Sequence, residues 1–159
     1  MLTKKILKII LNVKHTIIDD IRICPNGSIA IMVHPTKGEQ CRCGKCGKKA
    51  VRYDKGRGIG SWRACDRNTH KVYIMADMPR VVCSEHGVLA ASVPWARHNS
   101  RFTKEFEELA TWLSLSCTKS AVAALLRISW NTIGLSSAGC EPHLIQPNGT
   151  LRRAFPHRR

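Results

Sequence analysis

The stretches Cys43-Gly44-Lys45-Cys46 and Cys83-Ser84-Glu85-His86-Gly87 decide how this chain folds. Each places two metal-binding side chains within one tight turn, which is what a tetrahedral zinc ion requires from each half of its site. We therefore predict a structural Zn²⁺ site formed by Cys43, Cys46, Cys83 and His86. Four protein ligands leave no open coordination position, so the metal is expected to stabilise the fold and not to catalyse a reaction.

The cysteines leave two alternatives open. Buried free cysteines are common and a Cys-x-x-His pair alone is a weak signal, so the same residues could be ordinary core positions. Cys41 also lies close enough to Cys43 in sequence to replace it as a ligand. The other cysteines have no partner at metal-site spacing and are interpreted as small apolar residues or incidental thiols: Cys24, Cys65, Cys117 and Cys140.

The charge of the chain indicates a polyanionic partner. Its 159 residues include 26 Lys and Arg but only 11 Asp and Glu, which gives a formal charge of +15. Nucleic acid is the natural partner of such a surface, although a basic, solvated surface is the simpler alternative. We expect double-stranded DNA and no small-molecule substrate.

The N-terminus superficially resembles a signal peptide, with Lys4 and Lys5 before an apolar run. Lys8 interrupts that run and no small-residue cleavage site follows, so export is not expected. No stretch approaches the roughly 18 apolar residues of a membrane span. We expect a cytoplasmic protein without membrane contact, in which the cysteines stay reduced and available to metal.

Periodicity predicts an α+β fold. A helix is expected over residues 3–14, strands over 16–23 and 28–34 around a Pro25-Asn26-Gly27 turn, and further strands over 62–64, 71–76 and 80–82. From Ser100 an apolar face at helical spacing predicts a helix, capped by Ser100 or Thr103. The expected domains are an N-terminal helix and hairpin (1–39), a zinc ribbon (40–94), a three-helix module (95–134) and a disordered tail (135–159).

The segment Lys119 to Ile133 follows the pattern of a helix-turn-helix. Ser129 would cap the second helix, and Trp130, Asn131 and Thr132 would lie on its first turn, the part that enters the major groove. Lys119 and Arg127 border the motif and, together with Ser129, are counted as DNA contacts. Arg127 occupies a turn position that often holds glycine, so it would adopt a strained left-handed conformation. A plain helical hairpin is the alternative.

Two basic segments extend the predicted DNA surface. In the linker from Val93 to Arg101, Arg97 and Arg101 would contact the DNA backbone; alternatively, Trp95 anchors the ribbon to the helices while both arginines face solvent. The second segment surrounds the first metal half-site, where Lys45, Lys48 and Lys49 are expected to contact phosphates together with their basic neighbours Arg42, Arg52, Lys55 and Arg57.

From about Val13 to Gly134 the chain resembles the N-terminal part of bacterial insertion-sequence transposases of the ISL-three family. The resemblance is carried by four stretches: Tyr53-Asp54-Lys55-Gly56-Arg57-Gly58, Met78-Pro79-Arg80-Val81-Val82-Cys83 continuing to Gly87, Val93-Pro94-Trp95-Ala96-Arg97-His98 with Ser100-Arg101-Phe102-Thr103, and Lys119-Ser120-Ala121-Val122-Ala123 continuing to Trp130. It implies a zinc-binding domain followed by a helix-turn-helix that recognises the terminal inverted repeats of the mobile element.

The resemblance also implies a difference from complete family members. Those proteins continue into an RNase H-like catalytic domain whose acidic residues hold divalent metal, whereas after Gly134 this chain has a single acidic residue, Glu141. We expect a fragment that binds transposon ends without cleaving or joining DNA. A frameshift would explain residues 135–159. The alternative function is a regulatory remnant that associates with full-length transposase.

Overall fold

A computed structural model describes residues 2–56 and 58–129 of the chain. Its elements run in the order α1 (Leu2–Ile10), β1 (Thr16–Ile23), β2 (Ile29–Pro35), β3 (Val51–Asp54), β4 (Ile59–Arg67), β5 (His70–Asp77), β6 (Arg80–Cys83), β7 (Gly87–Ala90), α2 (Lys104–Ser116) and α3 (Lys119–Leu126). The predicted α+β class is confirmed. The third helix expected from Trp130 and the tail over 135–159 lie outside the described residues.

The larger sheet has four strands in the order β1-β2-β5-β4. The hairpin β1–β2 is antiparallel, β2 pairs with β5 in parallel, and β5 pairs with β4 in antiparallel orientation. The sheet therefore crosses the domain boundary expected at residues 39/40, because the first hairpin and the later strands share one layer. The parallel pairing of Ile29–Met32 with Val72–Met75 joins segments distant in sequence.

The smaller sheet has three antiparallel strands in the order β3-β6-β7 and carries the second metal half-site. Cys83 ends β6 and pairs in register with Gly87 at the start of β7. The first half-site is attached to the end of this sheet through an isolated bridge between Cys43 and Ala91. Strands β3 and β7 were not among the predicted elements.

One apolar core lies between the larger sheet, the end of α1 and the linker before α2. Ile31 and Ile74 of the sheet are each at most 2% exposed. Trp95 of the linker is also buried, and its ring packs edge-on against Trp62 with 5.5 Å between centroids. Trp95 therefore anchors the linker to the larger sheet, as one of the two linker alternatives expected of it, whereas contact of Arg97 and Arg101 with DNA stays a prediction.

A second core joins α2 and α3 to β4. Phe102 and Phe106 stack with 4.8 Å between ring centroids, and Val122 of α3 is fully buried in the same cluster as Cys65 of β4. Thr103 caps α2 by accepting a hydrogen bond from the Phe106 N–H at 3.3 Å, so the helix begins after Thr103 and not at Ser100. Thr118 caps α3 in the same way, accepting from the Ala121 N–H.

The first helix is shorter than predicted. α1 ends at Ile10, and Asn12 has a left-handed backbone with φ of 48°. Leu11 and Val13 then turn into the apolar core, so burial of these two side chains ends the helix one turn early. In the described part of the chain, no helix has the length and hydropathy needed to cross a membrane.

Candidate metal centre and nucleic-acid interface

The two metal half-sites meet at one end of the smaller sheet. The Sγ atoms of Cys43, Cys46 and Cys83 and a ring nitrogen of His86 all lie within 4.8 Å of one another. Cys46 Sγ is 3.7 Å from Cys83 Sγ, and His86 Nδ1 is 3.7 Å from Cys43 Sγ and 3.6 Å from Cys83 Sγ. Cys43 and Cys83 are buried, whereas His86 is exposed at the surface.

These distances fit the edges of a zinc tetrahedron. Bond lengths of about 2.3 Å to sulfur and 2.0–2.1 Å to nitrogen require edges of about 3.8 Å between two sulfurs and about 3.6 Å between sulfur and nitrogen. The observed separation of 3.7 Å between two sulfurs also far exceeds the roughly 2.05 Å of a disulfide. Cys41 does not belong to this cluster, so Cys43, and not Cys41, is the candidate ligand beside Cys46, Cys83 and His86.

The polypeptide around the thiols favours a bound cation. Burial opposes ionisation of Cys43, but N–H groups of Cys46 and Lys45 outweigh it and lower the pKa of the Cys43 thiol. The N–H of Glu85, followed by the His86 side chain, lowers the pKa of Cys83. The Lys48 N–H favours ionised Cys46, yet burial and the neighbouring thiols leave its pKa raised. Several thiolates at this spacing repel one another, and a divalent cation relieves that repulsion.

Each half-site ends in a turn that contains a glycine with a left-handed backbone. Gly47 follows the first pair of ligands with φ of +71°, and Gly87 follows the second pair with φ of +66°. A side chain at either position would be strained in this left-handed conformation. Lys48 and Glu85, one from each turn, form an ion pair that links the two half-sites across the surface.

The helix-turn-helix is fixed to the larger sheet through its turn. Arg127 ends α3 in the left-handed conformation predicted for it, with φ of 51° and ψ of 45°. Its Nε donates to Asp66 Oδ2 at 2.7 Å, and its Nη1 donates to the Thr69 carbonyl oxygen at 2.7 Å. Asp66 also accepts from buried Arg63, whose guanidinium carbon lies 5.8 Å from the centre of the Phe106 ring. The turn is thereby held against the β4–β5 connection.

A buried carboxylate holds the linker against α2. Glu107 is 1% exposed, accepts a hydrogen bond from Ser100 Oγ at 2.6 Å, and pairs with the guanidinium of Arg97. This glutamate was not among the residues that the sequence alone singled out. Its position on the arc of Phe106 and Ala110 is the signal that could have revealed it.

The described residues expected to contact DNA occupy different settings. Arg97 and Arg127 are engaged by Glu107 and Asp66, and Lys48 by Glu85. Arg42 is half-buried and pairs with Glu39. The other described ones are exposed: Lys45, Lys49, Arg52, Lys55, Arg101, Lys119 and Ser129. Trp130, Asn131 and Thr132, the expected reading residues, lie outside the described residues. Contact of each of these side chains with DNA stays a prediction.

The molecule combines a cluster of three cysteines and one histidine on a small β-sheet with a capped helical pair bonded to the larger sheet through Asp66. This combination is typical of DNA-binding proteins. Comparison with known families agrees. Residues 39–86 match the zinc finger of the transposases of IS204, IS1001, IS1096 and IS1165. Residues 91–134 match the helix-turn-helix domain of transposase family ISL3.

The chain belongs to the ISL3 transposase family and corresponds to the N-terminal part of its members. It is 40% identical over 126 residues to the transposases for insertion sequence element IS1557 from two strains of Mycobacterium tuberculosis, CDC 1551 / Oshkosh and H37Rv. The match covers 76% of this chain but 28% of each relative. No solved structure matches the chain.

Proposed function

We propose that this chain is a zinc-stabilised DNA-binding segment that recognises the terminal inverted repeats of an insertion sequence. The observation that carries this proposal is the fixed turn at Arg127. The bonds from its side chain to Asp66 and Thr69 set the direction in which the chain leaves α3. A reading helix that starts at Ser129 would then have a defined orientation relative to the metal site, which lets one rigid unit contact DNA twice.

Within this proposal the metal is Zn²⁺, and Cys43, Cys46, Cys83 and His86 would hold it. Bound zinc ties residues about 40 positions apart in the chain into one structural unit. The nearby exposed lysines Lys45 and Lys49 then contact phosphates, while Asn131 and Thr132 read base edges. The protein acts on the bacterial chromosome and therefore in the cytoplasm.

We further propose that the described residues bind DNA without catalysing strand transfer. Two-metal phosphoryl transfer requires several carboxylates that converge on ions with open coordination positions. The cluster of metal-binding side chains found in the described residues consists of three thiols and one imidazole. That set fits a closed structural site, since four protein ligands complete a tetrahedron.

Footprinting on a fragment that carries one end of the element tests the proposed recognition. Protection is expected within the inverted repeat, together with no nicking in Mg²⁺ or Mn²⁺. Substituting Asn131→Ala is expected to relax preference at one base position, by about 1–3 kcal/mol of discrimination. Uniform protection of the whole fragment would contradict end recognition, and metal-dependent nicking would contradict the non-catalytic role.

Association with full-length transposase is a second candidate function. It is favoured by Trp112 and Leu115 of α2, large apolar side chains that are 64% and 53% exposed. Copurification with the intact transposase in the absence of DNA, abolished by Trp112→Ser, is expected if this surface is an interface. Copurification that requires DNA would instead assign the association to shared binding of the transposon end.

A further inference from the structure

A cleft of about 900 Å³ lies between the zinc ribbon, the first half of β4 and the linker before α2. One wall is formed by Ile59, Gly60 and Ser61, and the opposite wall by the loop over residues 97–101. The described residues that line the cleft include no aspartate or glutamate. They do include four basic side chains: Arg80, Arg97, His98 and Arg101.

The outer edge of β4 provides main-chain donors to this cleft. β4 is an outer strand of its sheet, and Arg63 uses that edge to pair with the linker, donating its N–H to the Arg101 carbonyl oxygen at 2.8 Å. Alternate residues of a strand direct their peptide groups to the same edge, so the Ser61 N–H faces the cleft. The exposed Ser61 hydroxyl adds a second donor close by.

Two of the arginines are held in place by carboxylates outside the lining. Arg97 pairs with Glu107, and Arg80 Nε donates to Asp54 Oδ1 at 3.0 Å. A guanidinium has five N–H donors, so each of these arginines retains donors beyond those given to its carboxylate. Side chains that are already ordered lose less conformational entropy when a ligand binds.

We propose that this cleft binds the phosphate backbone of DNA, beside the segment read by the helix-turn-helix. This inference rests on the proposed DNA-binding function and identifies where on the protein the DNA phosphates bind. Main-chain N–H groups, a hydroxyl and arginines are the groups that contact phosphate in protein–DNA complexes. An extended peptide could also pair with the β4 edge, but the excess of basic side chains in the lining favours a polyanion.

The metal site forms part of the support for this cleft. A Cβ atom on Gly44, inside the first metal half-site, would overlap His98 Nδ1 and lie 2.7 Å from the Ala90 carbonyl oxygen. The His98 ring therefore packs directly on the turn between Cys43 and Cys46. Loss of metal would release that turn and the cleft wall that rests on it.

Salt-dependent binding of zinc-loaded protein to a scrambled duplex tests the proposal, with fluorescence anisotropy as the readout. Arg101→Ala is expected to reduce the slope of log K against log salt by about one, the value for one phosphate contact. Arg22→Ala is the matched control, because Arg22 lies on β1 at the opposite edge of the sheet and its side chain is 75% exposed. The slope of log K against log salt for Arg22→Ala is expected to equal that of the wild type.

A second variant keeps the test decisive if Arg101→Ala fails to fold. Ser61→Asp adds a negative charge at an exposed position on the cleft wall and is expected to weaken binding at least tenfold at low salt. Amide hydrogen exchange supplies an independent readout, with protection of residues 59–62 expected when the duplex is added. Wild-type slopes and affinities in the folded variants, or protection of 59–62 by a second copy of the chain without DNA, would overturn the proposal.

The test of the cleft can be interpreted separately from the test of end recognition. Preference of the wild type for the transposon end over the scrambled duplex tests recognition and does not depend on the cleft. If that preference is present while Arg101→Ala and Ser61→Asp both bind like the wild type, the cleft proposal fails and end recognition stands. If the preference is absent but the two variants reduce binding, the cleft binds DNA and end recognition fails.

Discussion

Substitution of Arg127 separates two opposing contributions at the turn of the helix-turn-helix. The residue adopts φ of 51° and ψ of 45°, a conformation that costs an L-residue other than glycine about 1–2 kcal/mol. Its side chain offsets this cost through bonds of 2.7 Å to both Asp66 and the Thr69 carbonyl oxygen. Alanine removes the bonds and keeps the strain, whereas glycine removes both.

The magnitudes follow from the exposure of the pair. Hydrogen bonds to charged groups contribute about 1.5–3 kcal/mol, and partial solvent screening reduces that value. The side chains of Arg127 and Asp66 are 37% and 17% exposed, which places the pair between the surface and buried limits. Arg127 makes two such bonds, and screening reduces each to about 1–1.5 kcal/mol, so we expect Arg127→Ala to lower the free energy of unfolding by about 2–3 kcal/mol. Arg127→Gly also relieves the strain of about 1–2 kcal/mol, but the greater freedom of glycine in the unfolded chain costs about 0.5–1 kcal/mol, so its expected loss is about 1–2 kcal/mol.

Urea unfolding of zinc-loaded protein, followed by circular dichroism, measures the difference. The order expected for the free energy of unfolding is wild type, then Arg127→Gly, then Arg127→Ala, with similar m-values for all three. Arg22→Ala is the control and should remain within about 0.5 kcal/mol of the wild type. An alanine variant as stable as the glycine variant would show that residue 127 carries no backbone strain for the side-chain bonds to offset, and would refute this reasoning.

The other predictions concern the metal, the buried carboxylate and the thiols. Cys83→Ser is expected to lose bound zinc and Cys65→Ser to keep it, as measured by atomic absorption; full metal content in the first variant would contradict the ligand assignment. Glu107→Ala should destabilise the fold by about 3–5 kcal/mol because it leaves a guanidinium without its buried partner, while exposed Glu108→Gln should change stability little in the same urea assay. Equal stability of those two variants would show that the Arg97–Glu107 pair does not stabilise the fold. Burial raises the pKa of the Cys65 thiol to about 11, whereas Cys117 is exposed. Iodoacetamide at pH 8 should therefore alkylate Cys117 well before Cys65, as measured by peptide mass mapping. Comparable alkylation rates at the two thiols would contradict the burial of Cys65.

The elements that sequence analysis predicted well have local signals. Alternation of apolar residues predicted β1 over residues 16–23, and the structure has the same bounds. Ligand spacing predicted the set Cys43, Cys46, Cys83 and His86, which the structure brings into one cluster. In each case the information lies within a few neighbouring residues or in a repeated short motif.

The features that were missed depend on contacts between distant segments. Pairing of β2 with β5 decides that the first hairpin belongs to the same sheet as the later strands, and no local pattern marks that partner choice. Strands β3 and β7 are short and contain only exposed or half-buried residues, so they lack a strong alternating pattern. Asp66 and Glu107 are polar in sequence, and only the packing of α2 and α3 on β4 gives them their structural roles.

If the proposed function is right, metal binding and recognition of the element's ends belong to one structural unit. Fluorescence anisotropy of the purified chain against duplexes from the element's ends and scrambled duplexes, with and without a zinc chelator, tests it most directly. We expect tighter binding to the ends, and loss of that preference when zinc is removed. Equal, salt-sensitive binding to all duplexes, or a preference that survives chelation with zinc shown to be absent, would contradict it.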